Sequence, residues 1–210
     1  MIADIDVNTG KVTENPEVIF EQLEQEVFVC PTWAGGKDWE AGAYSPLPNT
    51  MYFPLRNTCA QMLATSNFES DRARALTAGG QGGLEIYSLA ARHQIAPGTE
   101  NLGTVRAISA ETGETSWLHE QRAGTYSLMT TGGGLVFGGD HNGRFRAFDH
   151  ETGEVLWEVN LGGIVSGYPV TYAVDGVQYI AVNTGGGSMN LTREIRPSRG
   201  SNVFVFALPQ

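Results

Sequence analysis

A fixed internal period organises the second half of this chain. The segment GTVRAISAETGETSW at 103–117 returns as GRFRAFDHETGEVLW at 143–157. Arg106/Arg146, Ala107/Ala147, Glu111/Glu151, Thr112/Thr152, Gly113/Gly153, Glu114/Glu154 and Trp117/Trp157 stay in register at an offset of 40 residues. That period matches one four-stranded propeller blade, typically about 40–45 residues, and is too long for a leucine-rich repeat. Within each copy an alternating stretch such as Arg144-Phe145-Arg146-Ala147 predicts a strand. The Glu-Thr-Gly that follows predicts a turn needing glycine's positive φ, and a second strand then carries the tryptophan. A large indole at a fixed place in each repeat is suited to wedge between adjacent sheets, burying roughly 150–250 Å² apiece. That role is structural, not catalytic.

Composition agrees with an all-β chain of short strands. There are 27 glycines among 210 residues, and glycine reaches the backbone angles of tight turns at no steric cost. ADIDVNTGKV at 3–12 has the same turn chemistry without a tryptophan at the expected distance and forms a degraded third copy. Further strands are predicted at 135–139, 177–183 and 203–208, set off by His141-Asn142-Gly143 and Asp175-Gly176. The stretch 60–100 is the least regular. Its GGQGG at 79–83 follows no apolar strand and opens no amphipathic helix, so it reads as a loop and not as a dinucleotide-binding turn.

The charge balance excludes several functions. With 13 Lys+Arg, 23 Asp+Glu and a formal net charge of −10, the chain lacks the clustered cations that nucleic acid or an anionic membrane requires. No apolar run reaches membrane-spanning length, and MIADIDVNTG lacks the basic and apolar regions of a secretory signal. His93, His119, His141 and His150 have no metal-ligand spacing, and neither a G-x-S-x-G elbow nor a P-loop occurs. The acidic residues between 14 and 26 read as a solvated segment. Cys30 and Cys59 permit one pairing, and their spacing alone leaves a disulfide and two small buried thiols equally open.

The repeats AISAETGETSW and AFDHETGEVLW resemble the tryptophan-docking motif of the PQQ-dependent (quinoprotein) alcohol dehydrogenases, with Ser109 at the usual acidic position of the first copy. The resemblance extends through PTWAGGKDWEAGAYSP (31–46), TMYFPLRNTC (50–59), LVFGGDHNGRFRAFD (135–149) and GYPVTYAVDGVQYIAVNTGGG (167–187), in the order of the family's C-terminal third. It implies a partial β-propeller, about three four-stranded blades of an eight-bladed ring, with the remaining blades supplied by N-terminal segments or by another chain. It also implies pyrroloquinoline quinone (PQQ) near the propeller axis beside a calcium or lanthanide ion. The substrate would be a small alcohol oxidised to an aldehyde, the electron acceptor a cytochrome c, and the compartment the periplasm.

The family's catalytic aspartate and metal ligands lie N-terminal to everything matched, so no catalytic or metal role is assigned in this chain, which is expected to be inactive alone. The transferable cofactor residues sit in GGKDW. Asp38 stands where the family commonly has an asparagine that touches the quinone, and Trp39 follows it; a turn-forming role for Asp38 in this Gly-rich loop and a core-wedge role for Trp39 stay open beside quinone contact. An ionised aspartate only accepts hydrogen bonds, so facing quinone oxygens it repels them unless protonated or paired. The resemblance further implies a disulfide between Cys30 and Cys59, bracketing this loop. Where relatives often carry a tryptophan before a small residue and glycine, this chain reads Gln121-Arg122-Ala123-Gly124-Thr125-Tyr126. The Gly-rich stretch 184–188 falls in a loop that approaches the cofactor in relatives, while a glycine run is also explained by a simple turn, which is the preferred reading. A propeller can also serve as a non-catalytic binding or assembly scaffold, and fold alone does not separate the two.

Overall fold

Three turns of one chemistry punctuate the chain in the computed structural model. Asp6 Oδ1 accepts from the backbone N–H of Asn8 and Thr9, Ser109 Oγ from Glu111 and Thr112, and Asp149 Oδ1 from Glu151 and Thr152. Each turn closes with a glycine at positive φ: Gly10 at 70°, Gly113 at 75° and Gly153 at 75°. Ser109 therefore does the work of the aspartate it replaces, because a hydroxyl oxygen accepts from the same two donors. The degraded copy at the start folds its turn in the same way, joining the antiparallel strands Ile2–Ile5 and Val12–Glu14.

The structure describes residues 2–32, 36–67, 69–78, 89–186, 191–192, 194–198 and 200–208, with backbone alone at 75–78. In chain order the elements are β1 Ile2–Ile5, β2 Val12–Glu14, β3 Glu26–Val29, β4 Ala43–Ser45, β5 Thr50–Arg56, β6 Thr58–Ala64, α1 Asp71–Ala78 and β7 Leu89–Ile95. They continue with β8 Gly103–Ser109, β9 Thr115–Gln121, β10 Thr125–Thr130, β11 Leu135–Asp140, β12 Arg144–Asp149, β13 Val155–Asn160, β14 Val170–Val174, β15 Val177–Asn183 and β16 Val203–Ala207. The chain divides into two compact units, Met1–Trp33 with Thr58–Gln94, and Ala34–Asn57 with Ile95–Gln210.

The first unit holds the β1-β2 pair and a three-stranded sheet ordered β3-β6-β7. Val27, Val29, Ala60, Met62 and Ala91 form its core, and the Cys30–Cys59 disulfide predicted from the family resemblance is formed here. The acidic residues between 14 and 26 are exposed, as read from the sequence, on a segment that runs from the last residue of β2 through a 3-10 turn at Pro16–Val18 to β3. The irregular middle includes a helix, α1, that the sequence reading did not anticipate. The GGQGG run lies outside the described residues.

The second unit contains two four-stranded antiparallel sheets, ordered β4-β5-β8-β9 and β10-β11-β12-β13, and a three-stranded sheet ordered β14-β15-β16. The two repeat copies supply equivalent strand pairs: Ala107 stands opposite Trp117 and Ala147 opposite Trp157. Tyr52, Val105, Ala107 and Trp117 of the first sheet pack with Leu128, Val136 and Phe148 of the second. Phe137, Phe145 and Ala147 of the second pack with Ile180 and Val182 of the third. These are face-to-face blades of a partial propeller.

The two repeat tryptophans differ in environment. Trp117 is buried, its indole N–H donates to the His150 carbonyl at 3.0 Å, and the Tyr52 hydroxyl donates to the same oxygen at 2.8 Å. Burial pushes the Tyr52 phenol up to about 12, so it remains a donor at neutral pH. A Cβ on Gly153 would stand 2.6 Å from the Trp117 ring, so only glycine admits the indole there. Trp157 is 39% exposed and meets Phe145 and Phe206 edge-on. The first tryptophan is a full wedge and the second a partial one.

Candidate cofactor site

The GGKDW loop is fixed at both ends within the second unit. Gly36, at a φ of 70° that favours glycine, exchanges two backbone hydrogen bonds with Arg56, each 3.0 Å. At the other end Ala41 N–H donates to Ser127 Oγ at 3.0 Å, and Leu128 N–H donates to the Ala41 carbonyl at 2.9 Å. The loop therefore runs from the end of β5 to β10. Between these anchors Lys37 and Asp38 are exposed, the Trp39 indole is 46% exposed, and Glu40 is buried.

Beneath the loop lies a layer of polar and aromatic groups. Arg56 forms an ion pair with Glu40, both side chains being buried, and its guanidinium lies over the Tyr126 ring at 5.6 Å. Burial pushes the Arg56 guanidinium down from its usual range, while the neighbouring Tyr126 and Asp38 oppose that shift. Tyr126 Oη and His141 Nδ1 share a hydrogen bond at 3.1 Å, and their rings stack at 6.2 Å. Trp39 is tilted against Tyr126 and Tyr168, at 6.3 and 6.0 Å. One flank of the indole is thus packed on phenols and the remainder is open.

A second polar group supports His141 from the β11–β12 turn. Asp140 is buried, accepts from Asn142 and Arg144 N–H, and pairs with Arg146 at 2.8 Å. Arg146 also reaches Gln121 Oε1 at 2.7 Å and Glu158 at 2.6 Å. Burial lowers the His141 pKa, the Asp140 carboxylate opposes the shift and Arg56 adds to it. Between this lowered value and the ordinary value of about 6.5 the unfolded chain binds more protons, so stability rises with pH across that window and is lost as pH falls through it. Burial lowers His119 and His93 in the same direction. The midpoint of urea unfolding is expected to fall from about pH 7.5 to about pH 5.5, and His141→Gln to flatten part of the dependence. A midpoint that is constant or rises on acidification would contradict this account.

Asp38 and Trp39 therefore share one anchored loop, as expected from their adjacency. Arg122 stands before Ala123-Gly124 where relatives often carry a tryptophan, and it is Tyr126, four residues on, that packs against Trp39. Of the Gly-rich stretch, Thr184 is buried, and Gly185 and Gly186 line an open cleft of about 670 Å³ with Asn183, Ser201 and Asn202. Gly187 and Ser188 lie outside the described residues. Sequence reasoning missed Glu40, Arg56 and the Tyr126–His141 pair. One signal was available: β5 alternates strictly between more and less buried positions, and Arg56 falls on the inward register with Thr50, Tyr52 and Pro54. Among the described residues no group of three or more His, Cys, Asp and Glu gathers to hold a metal ion, and no helix is long and apolar enough to cross a membrane.

Comparison with known proteins shows what the chain as a whole resembles. Residues 99–180 match the family model described as "Glucose/ethanol/alcohol dehydrogenase, beta-propeller domain". The chain is 30% identical to quinoprotein alcohol dehydrogenase PedE of Pseudomonas putida, over 98% of this chain and 33% of that protein. It is 31% identical to a 1-butanol dehydrogenase (quinone) of Thauera butanivorans, again over 98% of this chain and 33% of the relative. The chain thus spans about a third of the length of these curated relatives. Among solved structures, a europium-containing methanol dehydrogenase superposes with a TM-score of 0.79 at 22% identity, covering 99% of this chain and 39% of that one. That likeness establishes the propeller fold.

Proposed function

This chain belongs to the PQQ-dependent alcohol dehydrogenase family, and we propose that it forms part of the propeller domain of an enzyme that oxidises a small alcohol to an aldehyde, with residues 1–210 contributing blades and part of the quinone's surroundings. The observation that carries the reading is the Trp39 indole, backed by Tyr126 and Tyr168, half open to solvent and held on a loop anchored at Gly36 and Ala41. A flat aromatic face with Asp38 and the Arg56 guanidinium in electrostatic reach of each other suits a planar ring with polar edges.

When bound, the quinone would supply the two-electron acceptor for the alcohol. This chain's residues bind and orient. Trp39 offers its ring, Asp38 a carboxylate whose repulsion of quinone oxygens Arg56 offsets, and Gly36 and Ala41 keep the loop on β5 and β10. The base and the calcium or lanthanide ligands are assigned to segments beyond this chain. Two relatives named as cytochrome c-linked support a cytochrome c as electron acceptor. The Cys30–Cys59 bridge suits an oxidising periplasm.

The third sheet supports a larger ring. Among the described residues it has three strands where the other two in its unit have four, and Val170, Tyr172, Val203 and Val205 are at least 44% exposed along it. An apolar sheet surface of this kind calls for a further blade, from the rest of the protein or from another chain.

Titration of the full-length protein with PQQ, in the presence of calcium or of a lanthanide, tests the function. Saturable binding is expected, weakened about tenfold by Trp39→Ala through loss of ring contact. Dye-linked alcohol oxidation is expected only with the complete protein. Absence of saturable PQQ binding would favour a non-catalytic scaffold propeller, and turnover by the 210-residue chain alone would overturn the fragment reading.

A further inference from the structure

Arg56 carries more than its place at the end of β5 requires. A strand terminus needs only its backbone, and that backbone already bridges Gly36 in both directions. The side chain nevertheless turns inward, is 6% exposed, and forms an ion pair with Glu40, itself 3% exposed. Glu40 Oε1 accepts no hydrogen bond besides this ion pair among the described residues. Burying two ions is costly unless each serves the other, so the pair marks a place where position matters more than stability. The loop's charges balance only with Arg56 in place. Asp38 and Glu40 bring two carboxylates, the exposed Lys37 ammonium, which donates to the Asp38 backbone carbonyl at 2.6 Å, offsets one of them, and the buried Arg56 guanidinium offsets the other. The guanidinium lies against the same Tyr126 ring that backs Trp39.

We infer that Arg56 is a positioning residue for the Asp38–Trp39 loop: its ion pair with Glu40 and its contact with Tyr126 fix where the indole stands, and its charge balances Asp38 where a carboxylate-bearing quinone docks. This rests on the quinone reading above. Two consequences separate its parts. The mechanical one is independent of any ligand: without Arg56 the loop loses its central tie, and its amides exchange faster. The electrostatic one appears only with ligand. PQQ carries three carboxyl groups, so a loop left with one uncompensated carboxylate repels it, and removing the Asp38 charge restores affinity.

The experiment uses the full-length protein and four variants, Arg56→Met, Arg56→Lys, Arg56→Met with Asp38→Asn, and Glu40→Gln, followed by amide hydrogen exchange over 36–41 without ligand and by titration with PQQ. Arg56→Met is expected to speed exchange at Gly36 and Ala41 and to weaken PQQ binding, each by about tenfold or more. Adding Asp38→Asn should recover most of the affinity and none of the exchange protection, a coupling that a purely structural arginine would not produce. Arg56→Lys keeps the charge and loses the planar fork, so it should recover affinity better than loop protection. If Arg56→Met does not fold, Glu40→Gln, which leaves the guanidinium in place, is expected to speed loop exchange in the same direction. Exchange within twofold of wild type in Arg56→Met, or in Glu40→Gln if that alone folds, would overturn the clamp, and no recovery from Asp38→Asn would overturn the charge balance. If the wild-type protein binds no PQQ, the quinone reading and the docking role built on it fail together, while the exchange measurements still decide whether Arg56 holds the loop.

Discussion

Trp117→Ala is expected to destabilise the protein by about 3–5 kcal/mol, the range for removing a fully packed large aromatic. The indole contributes on three sides: it packs with Tyr52 at 5.6 Å and Phe148 at 6.3 Å, seats on Gly153, and donates to the His150 carbonyl. Truncation therefore opens a cavity between two blades and removes one of the two donors to a carbonyl that Tyr52 also uses. Gly153→Val should be comparably harmful from the opposite direction, because its side chain would enter the indole's space at a backbone angle that β-branched residues avoid. Trp157→Ala makes the informative contrast. Its ring is 39% exposed, so less surface returns to water and the loss should be clearly smaller. Urea unfolding of the full-length protein measures all three. Equal losses at the two tryptophans would show that the wedge at Trp117 has been misassigned.

Removing the Cys30–Cys59 bridge by Cys30→Ser with Cys59→Ser is the second large effect. The cystines are 29 residues apart, and closing a loop of that size restricts the unfolded chain by about 3–4 kcal/mol on the chain-entropy account. Cys59 is fully buried on β6 among Ala60 and Leu63, so the bridge is shielded on that side by the first unit's own core. The bridged stretch contains the whole Gly36–Ala41 loop and Arg56, so the covalent tie limits how far those residues can separate once the fold opens. The unfolding midpoint should fall in the double variant and should no longer respond to a thiol reductant, whereas the wild type should respond. Identical midpoints for wild type and variant would sink the assignment of a stabilising role.

Much of the architecture was legible because its chemistry is local. The turns at Asp6, Ser109 and Asp149 are made by side-chain oxygens bonding N–H groups two and three residues ahead, and glycine closes each a residue later. All the information for such a turn sits in five contiguous residues, which explains why even the degraded first copy folds as its sequence suggests. β15 covers Val177–Asn183, the stretch set off by Asp175-Gly176, because alternation and a preceding turn define a strand without reference to anything distant. α1 was missed for the complementary reason. Its sequence, DRARALTA, has a weak apolar stripe, and what holds the described part of it is Ala73 packed against Leu63 and Ala90.

The candidate site divides along the same line. Asp38 and Trp39 were visible as neighbours in a Gly-rich loop, and Cys30 with Cys59 as its brackets by family resemblance. Glu40, Arg56, Tyr126 and His141 come from a loop, two separate strands and a turn, and nothing in their spacing announces that they meet. The repeat ending at Trp117 and Trp157 determined that the chain builds propeller blades, since a period of 40 residues with a fixed turn and indole admits few other folds. It could not distinguish the two tryptophans, because their sequences are equivalent and only the neighbouring sheet differs. Tertiary structure decided that Trp117 finds Gly153 and a carbonyl while Trp157 finds ring edges, and that a buried guanidinium lies beneath the Asp38–Trp39 loop. Turns and strand periods are encoded by residues in contact along the chain. The partner of a buried charge or a wedged ring is set by which blade packs beside it.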